Sequence, residues 1–183
     1  NSQSHSIEMQ SFDQKLVEVG SNITFFRLKW LKKISDILTP ILKNIAPEQK
    51  DAKIVYTSKW LPSEYAFTLN NKELKGYHRA GLLLEPSLEI LESTLDKSLT
   101  ISRSYEAQAG VTLVGPHRDD WLLTLGDRPL SGYGSQGEIR SVLLSLKLAE
   151  VKSFIETTGN VPLFLLDDFS SELDSNRRKF LLR

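Results

Sequence analysis

The sequence predicts an α/β protein in which a helical segment precedes a sheet-containing segment. Over most of the first 45 residues, apolar side chains recur at steps of three and four, which is typical of an amphipathic helix. After Gly110 the pattern changes to short apolar runs bounded by Gly and Pro, and a helix is followed by the uninterrupted apolar run 163–166. We therefore predict a helical arm over residues 1–109 and a sheet-containing core over residues 110–183.

Composition excludes several protein classes. The chain has 183 residues, no Cys, and equal numbers of basic and acidic residues, 23 of each, so Cys-zinc sites, thiol catalysis and disulfide scaffolds are excluded. No apolar run approaches the roughly 20 residues of a membrane-spanning helix, and no signal peptide opens the chain. We expect a cytoplasmic protein that does not bind membranes. Because the chain starts without Met and stops within an apparently helical run, 176–183, we also expect an internal piece of a longer protein.

The first predicted helix extends from Leu16 to Ile45. Its predicted apolar face consists of Leu16, Val19, Ile23, Phe26, Trp30, Ile34, Ile37, Ile41 and Ile45. Ser11 and Gln14 fit a capping box at its start. Pro40 is expected to kink or end the helix near Thr39, because it lacks a backbone N–H and clashes with the preceding turn.

The remaining elements follow in order. Residues 54–57 read as a strand, and a second amphipathic helix begins at Pro86-Ser87 with leucines 88, 91, 95 and 99 on one face. Residues 111–114 and 121–125 have strand composition, with a turn at 126–129. The third helix carries its apolar face between Ile139 and Phe154, and a strand is predicted at 163–166.

Two carboxylates end the last apolar run. Asp167 and Asp168 would emerge at the carboxyl end of a buried strand, where open α/β sheets bind ligands. There they would suit a nucleotide-hydrolysing site, and they equally suit a polar turn that caps the next helix. Residues alone leave both interpretations open.

A turn of small residues precedes the third helix. Ser135, Gln136, Gly137 and Glu138 stand where backbone N–H groups and the positive end of a helix would favour a phosphate. Ser135 and Glu138 also form an S-x-x-E capping box, which is the commoner reason for this pattern.

Two further features have an ordinary explanation beside a functional one. Residues 115–120 (GPHRDD) combine His117 with Asp119 and Asp120, which is compatible with a metal or an acid–base pair but more often marks a tight turn. The first helix carries Arg27, Lys29, Lys32 and Lys33, which form part of a basic stripe suited to a DNA backbone or to solvent. No G-x-x-x-x-G-K-[ST] loop occurs in the sequence, so the chain alone is expected not to bind ATP well.

Taken together, GPHRDD at 115–120, GSQGEIR at 134–140, LFLLDD at 163–168 and SELD at 171–174 strongly resemble the RecF family, the bacterial DNA recombination and repair ATPases related to SMC heads. The close match covers about the last 75 residues. The resemblance implies part of an ABC/SMC-type ATPase head with an inserted helical arm, and a homodimer that closes around ATP and Mg²⁺.

The resemblance also implies residue roles. Ser135, Gln136, Gly137 and Glu138 would form the signature motif, which contacts the γ-phosphate held by the opposite protomer. Asp167 would assist Mg²⁺ through water, Asp168 would polarise the attacking water, and Ser171 and Asp174 would belong to the D-loop. An Asp at 168, where relatives usually have Glu, implies slow turnover.

For the whole protein, the resemblance implies a slow DNA-stimulated ATPase in DNA replication, repair, recombination and the SOS response, which binds double-stranded DNA or junctions and loads recombinase at gaps. RecR and RecO-type mediators are the implied partners. Two alternatives stay open at this point: a Mg²⁺-dependent nuclease or phosphohydrolase using Asp119, Asp120, Asp167 and Asp168, and a non-catalytic module for DNA or protein interaction.

Overall fold

A computed structural model describes residues 2–61, 78–80 and 86–165 of the chain, with side chains described in 11–61 and 86–165. Three helices and four strands occur in these ranges, and the α/β class is confirmed. The catalytic and D-loop predictions at Asp167, Asp168, Ser171 and Asp174 lie outside the described residues.

The first helix, α1, spans Ser2–Ile45 and confirms the long amphipathic helix. It begins before Ser11, so the capping box predicted there is wrong. The predicted apolar face is also partly wrong, because Val19, Ile23 and Phe26 are exposed while Ser21 and Thr24 are fully buried. The small side chains lie on the packed face because α1 approaches its neighbours closely there: a Cβ on Gly20 would lie 3.1 Å from Leu95 Cδ2.

Pro40 neither ends α1 nor stops its apolar face. Leu38 and Leu42 are fully buried on either side of it, and the Thr39 hydroxyl donates to the Ala52 carbonyl at 2.9 Å and accepts from the Ala52 N–H at 3.1 Å. These contacts offset the roughly 3 kcal/mol that proline costs inside a helix. The predicted helix end near Thr39 is therefore wrong, and the alternative, a kink at Pro40, stays a prediction.

The strands form one sheet in the order β2-β1-β3-β4, with β1 at Ala52–Ser58, β2 at His78–Ala80, β3 at Asp120–Leu125 and β4 at Arg128–Pro129. β1 pairs with β2 antiparallel, Tyr56 opposite Ala80. β3 pairs with β4 antiparallel, Leu125 opposite Arg128, across a turn in which Gly126 has φ 60°. The predicted strands at 54–57 and 121–125 are confirmed.

The second helix, α2, spans Leu88–Ala109 and begins where the sequence predicted. Ser87 is its N-cap, and its hydroxyl accepts from the Ile90 N–H. Leu91, Leu95 and Leu99 are buried, which confirms the predicted face. The third helix, α3, spans Gln136–Thr158 and also begins at its predicted cap.

Two predicted strands are wrong. Residues 111–114 form no strand because their backbone groups bond to side chains instead: the Leu113 N–H donates to Glu106 Oε1, and the Thr112 carbonyl accepts from Arg118 Nε. The strand predicted at 163–166 is not formed over its described part, 163–165, where Leu163 and Leu165 are more than 80% exposed, and Leu166 lies outside the described residues. A buried strand needs hydrogen-bonded neighbours on both sides, and the described residues pair none with this segment.

The chain divides into two units. The first takes the chain up to Leu31 and again from Val55 to Leu122, and the second takes Lys32–Ile54 and the chain from Leu123 onward. The first contains α2 and the GPHRDD segment, and the second contains β4 and α3. The predicted domain boundary after residue 109 stays a prediction.

Candidate functional site

The predicted signature residues lie together at the start of α3, in the second unit. Ser135, Gln136 and Gly137 are exposed, and Glu138 is half-buried. Ser135 is the N-cap residue, so the amides of Gln136 and Gly137 in the first helical turn have no partner within the helix. This turn, residues 134–138, is called the Ser135 turn below.

A capping box holds the Ser135 turn in place. The Ser135 hydroxyl accepts from the Glu138 N–H at 3.3 Å, and Glu138 Oε2 accepts from the Ser135 N–H at 2.7 Å. These two bonds to Ser135 hold the pKa of the Glu138 carboxyl below its usual range, and Lys50 and Arg128 act in the same direction. The ordinary structural explanation for this motif is therefore confirmed, and it leaves the end of the helix open to a ligand.

Glycine is required at the start of the turn by close approach of the backbone. The Gly134 N–H donates to the Leu130 carbonyl at 3.0 Å, and a Cβ on Gly134 would lie 2.9 Å from that same oxygen. Gly137 is different, because a Cβ there would meet nothing within 4 Å. The space beside Gly137 is open.

A groove of about 630 Å³ lies against the Ser135 turn; we call it the Ser135 groove. Its lining includes Gln49 and Lys50 from the segment after α1, Arg128 from β4, and the half-exposed Tyr133. Glu48 and Glu138 line the groove as well, so two carboxylates accompany the two cations. The open amino end of α3 and the Ser135 hydroxyl are the groups suited to an anionic ligand. Sequence reasoning did not place Lys50 and Arg128 beside the Ser135 turn, because the three are far apart in the chain.

The GPHRDD segment lies in the first unit and forms a turn, as its ordinary interpretation predicted. The Arg118 N–H donates to the Gly115 carbonyl at 2.9 Å, and the His117 ring lies 3.4 Å from the Thr112 carbonyl. The Pro116 carbonyl accepts from Arg27 Nη1 at 2.6 Å. The segment is thereby joined to α1.

Asp119 is the half-buried centre of a polar cluster. Its Oδ2 accepts from the Tyr56 hydroxyl at 2.8 Å and from Trp60 Nε1 at 3.1 Å, and Arg27 Nη1 lies 3.4 Å from that same hydroxyl. We call Asp119, Tyr56, Trp60 and Arg27 the Asp119 cluster. Burial raises the pKa of the Asp119 carboxyl even though the hydrogen bonds it accepts act in the opposite direction. Burial and the charge of Asp119 also raise the pKa of Tyr56.

This cluster does not have the arrangement of a hydrolytic metal site. Asp119 is engaged by Tyr56 and Trp60, while the exposed Asp120 accepts from the Trp121 N–H at 2.8 Å. Among the residues whose structure is described, no group of three or more His, Asp or Glu side chains is placed to hold a metal ion. The nuclease alternative is not favoured. The sequence did not predict Tyr56 and Trp60 as partners of Asp119, because they lie about 60 residues away from it in the chain.

The predicted DNA-binding side chains differ in their surroundings. In the first unit, Arg27 bonds Pro116, and Lys29 Nζ lies 4.3 Å from the centroid of the Phe25 ring. In the second unit, Lys33 contacts Thr157 Oγ1 at 3.0 Å and Glu156 at 3.4 Å, and Lys32 also interacts with other groups. Arg27 and Lys33 thus have internal partners, and the DNA-binding role of all four stays a prediction.

No helix in the described ranges has both the length and the apolar character needed to cross a membrane.

Comparisons with curated proteins and with solved structures both find RecF, whereas the comparison with family models finds nothing. The "DNA replication and repair protein RecF" of Symbiobacterium thermophilum is 34% identical over 174 residues, 95% of this chain and 41% of that protein. RecF of Caldanaerobacter subterraneus is 35% identical over 175 residues, 96% of this chain and 42% of that protein.

Solved structures agree with the sequence comparison. "Structure of the recombination mediator protein RecF-ATP in RecFOR pathway" matches with a TM-score of 0.76 and 30% identity, covering 95% of this chain and 41% of that one. The corresponding RecF-ATPrS structure matches with a TM-score of 0.72 and 32% identity. The resemblance to RecF is thus confirmed over nearly the whole chain, which spans about two fifths of the length of these relatives.

Proposed function

We propose that this chain, similar to RecF over 95% of its length, is the arm and signature portion of a DNA replication, repair and recombination protein that binds DNA as an ATP-dependent homodimer. The observation that carries the proposal is the exposed Ser135 turn at the amino end of α3. The matched RecF structures are described as RecF-ATP and RecF-ATPrS, which supports a nucleotide as the ligand.

The chemistry of the Ser135 turn suits a terminal phosphate. The amides of Gln136 and Gly137 point out of the first helical turn, where the helix carries a partial positive charge of about half a unit. The Ser135 hydroxyl adds a donor beside them, and Glu138 keeps the turn in shape. These groups stabilise the dimer by contacting a phosphate held by the opposite protomer. Loss of that terminal phosphate removes the contact and would weaken the dimer.

The remaining site assignments are part of the same proposal. Asp167 would hold Mg²⁺ through water, and Asp168 would orient and polarise the attacking water. Bound Mg²⁺ would supply charge neutralisation for the phosphates. Ser171 and Asp174 would lie in the D-loop at the dimer boundary. The shorter Asp168 carboxylate favours slow, DNA-stimulated hydrolysis, as suits a switch, and an ATPase would need a phosphate-binding loop that this sequence lacks.

For the whole protein we propose cytoplasmic action at gapped DNA or double-strand junctions, with RecR and RecO-type mediators, within recombination and the SOS response. Arg27, Lys29, Lys32 and Lys33 are proposed DNA contacts, because phosphate neutralisation by basic side chains gives sequence-independent affinity. Residues 1–109 would form the inserted arm and residues 110–183 the partial ATPase core.

The test is ATP-dependent dimerisation of the full-length protein with Ser135→Arg. The bulky cation would fill the space of the phosphate, so we expect sedimentation velocity with ATP and Mg²⁺ to show monomer where the wild type shows dimer. Ser93→Arg, which adds the same side chain at an exposed site on α2, is the matched control. Unchanged dimerisation of the Ser135 variant would count against the proposal.

A further inference from the structure

A cavity in the first unit is lined by aromatic side chains. It measures about 340 Å³, near the lower end of the roughly 300–1,000 Å³ of ligand pockets. Trp30 and Leu31 of α1, Tyr56 of β1 and Trp121 of β3 line it, and all four belong to the first unit. We call this cavity the Trp121 pocket.

Trp121 is the most accessible ring of the pocket. It is 50% exposed, although the Trp30 ring packs beside it with the ring centroids 5.9 Å apart and the ring planes at 53°. The contact with Trp30 holds the indole in place while half of the residue stays accessible. Trp60, by contrast, is 3% exposed. A large aromatic ring that is held and accessible is suited to stacking with another planar group.

The polar groups of the pocket suit a ligand that both donates and accepts hydrogen bonds. Asp120 is exposed, and its Oδ1 accepts from the Trp121 N–H at 2.8 Å, while its Oδ2 has no donor among the described residues. In the same part of the chain, neither Trp30 nor Trp121 donates its indole N–H to an acceptor, whereas Trp60 donates to Asp119. One acceptor and two donors are therefore unused beside the aromatic rings.

The charges of the pocket decide which part of a nucleic acid fits. Asp119 and Asp120 line it and would repel a phosphate, but a nucleobase is uncharged and carries N–H donors. Arg27 also lines the pocket and is exposed. Its Nη1 bonds the Pro116 carbonyl and the Tyr56 hydroxyl, and its Nη2 and Nε have no acceptor among the described residues. These N–H groups have bonding capacity for a phosphate at the rim.

A nucleobase fits this pocket better than a basic side chain of a protein. Tryptophan rings and a carboxylate also suit a cation. Arg27, however, already places a positive charge at the pocket, and a cation offers no acceptor to the indole N–H groups.

We infer that the Trp121 pocket binds an unpaired base of gapped or junction DNA, which stacks on Trp121 and donates to Asp120 while Arg27 contacts the adjoining phosphate. The inference rests on the proposed DNA binding and extends it from the backbone to a base. Stacking of one base on an aromatic ring changes affinity by about 5-fold to 150-fold and tolerates any base. A base inside a duplex is already stacked and paired, so the pocket favours single-stranded over double-stranded DNA.

The first experiment removes the bases and keeps the phosphates. Fluorescence anisotropy with ATP and Mg²⁺ gives the Kd of the full-length protein for a gapped duplex and for the same duplex with abasic nucleotides in the gap. The wild type should bind the base-containing gap about tenfold more tightly. Trp121→Leu, which keeps an apolar contact for Trp30 but has no aromatic ring, should bind both DNAs equally. Trp121→Phe should keep part of the discrimination.

The matched control is Tyr105→Leu, which makes the same kind of change at a ring on α2 that is 66% exposed. It should keep the full discrimination between the two gapped DNAs. Thermal unfolding checks that each variant is folded, and all variants should bind a duplex without a gap as the wild type does. Equal discrimination by the wild type and Trp121→Leu would overturn the inference, and so would an equal loss of affinity for the duplex without a gap.

The second experiment tests Asp120 through the ratio of the two Kd values. Asp120→Ala should reduce this ratio about threefold, because the base loses an acceptor. The ratio is used because removal of a negative charge strengthens binding to any DNA, and that gain is common to both DNAs. Asp127→Ala, at the exposed β3–β4 turn, is the control and should leave the ratio unchanged. An unchanged ratio for Asp120→Ala would overturn the role of Asp120.

The outcomes separate this inference from the proposed function. If the wild type binds gapped DNA with ATP but does not distinguish abasic from base-containing gaps, the proposed function stands and the inference falls. If Trp121→Leu keeps the discrimination and instead raises the ATP concentration needed for dimerisation, the pocket binds the base of ATP and the inference falls. If that variant weakens only the binding of a RecR-type protein, the pocket is a protein contact and the inference falls. A wild type that does not bind DNA overturns both.

Discussion

Two polar regions of this chain differ in whether their hydrogen-bonding groups are engaged within the protein or face solvent. In the Asp119 cluster, the half-buried carboxylate accepts from the Tyr56 hydroxyl and the Trp60 indole N–H. In the Ser135 turn, the hydroxyl and the first amides of α3 face solvent beside a groove. The GPHRDD segment, which carries Asp119, and the Ser135 turn both begin with Gly and contain polar side chains. The difference shows that a motif indicates a ligand only where the fold leaves its hydrogen-bonding groups available.

The largest effect is expected for Asp119→Ala. Two part-buried donors, the Tyr56 hydroxyl and the Trp60 indole N–H, would lose their acceptor, and each unsatisfied donor costs about 1–3 kcal/mol. We expect the free energy of unfolding to fall by about 3 kcal/mol in urea denaturation. Fluorescence is a suitable probe, because Trp30, Trp60 and Trp121, the three tryptophans of the chain, all lie in the first unit.

The control for this prediction is Asp120→Ala. Asp120 is exposed and accepts only from the neighbouring Trp121 N–H, so its loss should cost less than about 1 kcal/mol. Equal losses in the two variants would show that the hydrogen bonds of the Asp119 cluster do not stabilise the fold.

A pair of glycines tests whether the Ser135 groove has open space. Gly126→Ala should destabilise the protein by about 1–2 kcal/mol, because Gly126 has φ 60°, a backbone conformation that costs alanine free energy, while the exposed Lys50 side chain can move away from the new Cβ. Gly137→Ala, at a helical position with nothing within 4 Å, should instead stabilise it by about 0.5–1 kcal/mol. Thermal unfolding distinguishes the two, and a destabilised Gly137→Ala would show that the space is filled.

The sequence predicted features that depend on neighbouring residues. The caps at Ser87 and Ser135 and the leucine face of α2 were confirmed because capping and helical periodicity act over a few residues. The burial of α1 was predicted less well. Ser21 and Thr24 lie on its packed face because Gly20 lets Leu95 approach. The sequence of a helix does not show which other element packs against it.

The candidate site was predicted in part for the same reason. The exposure of Ser135 agrees with a ligand-facing turn, whereas Lys50 and Arg128 enter the groove through tertiary contacts that join separate segments. Residues 163–165 have the composition of a buried strand and none of its pairing in the described chain. The composition of a segment indicates that it favours a buried strand, but the strand forms only where neighbouring strands supply hydrogen-bond partners.

A smaller effect separates capping from ligand contact at Ser135. Ser135→Ala should cost about 1 kcal/mol by loss of the cap, and Ser135→Asn should restore most of that stability. If the hydroxyl also contacts phosphate, both variants should weaken ATP-dependent dimerisation. Ser87→Ala removes the equivalent cap of α2 and should cost about the same stability with no change in dimerisation. Equal effects of the Ser87 and Ser135 variants on dimerisation would show that Ser135 acts only as a helix cap.

The smallest effect is a difference in the sign of pH dependence between the two regions. The pKa of Glu138 lies below its ordinary value of 4.5 in the folded protein, so its contribution to stability is present above that value and is lost as the pH falls through the folded pKa. The pKa of Asp119 lies above its ordinary value of 3.8, so between 3.8 and the folded pKa its contribution becomes less favourable as the pH rises. The free energy of unfolding is measured by urea denaturation at intervals between about pH 3 and pH 6. In the wild type, Glu138 should make this free energy rise with pH, and Glu138→Gln should remove that rise. Asp119 should make it fall with pH, and Asp119→Asn should remove that fall. Because the pKa of Asp119 is raised and that of Glu138 is lowered, slopes of the same sign in both variants would contradict the environments assigned to these two carboxyls.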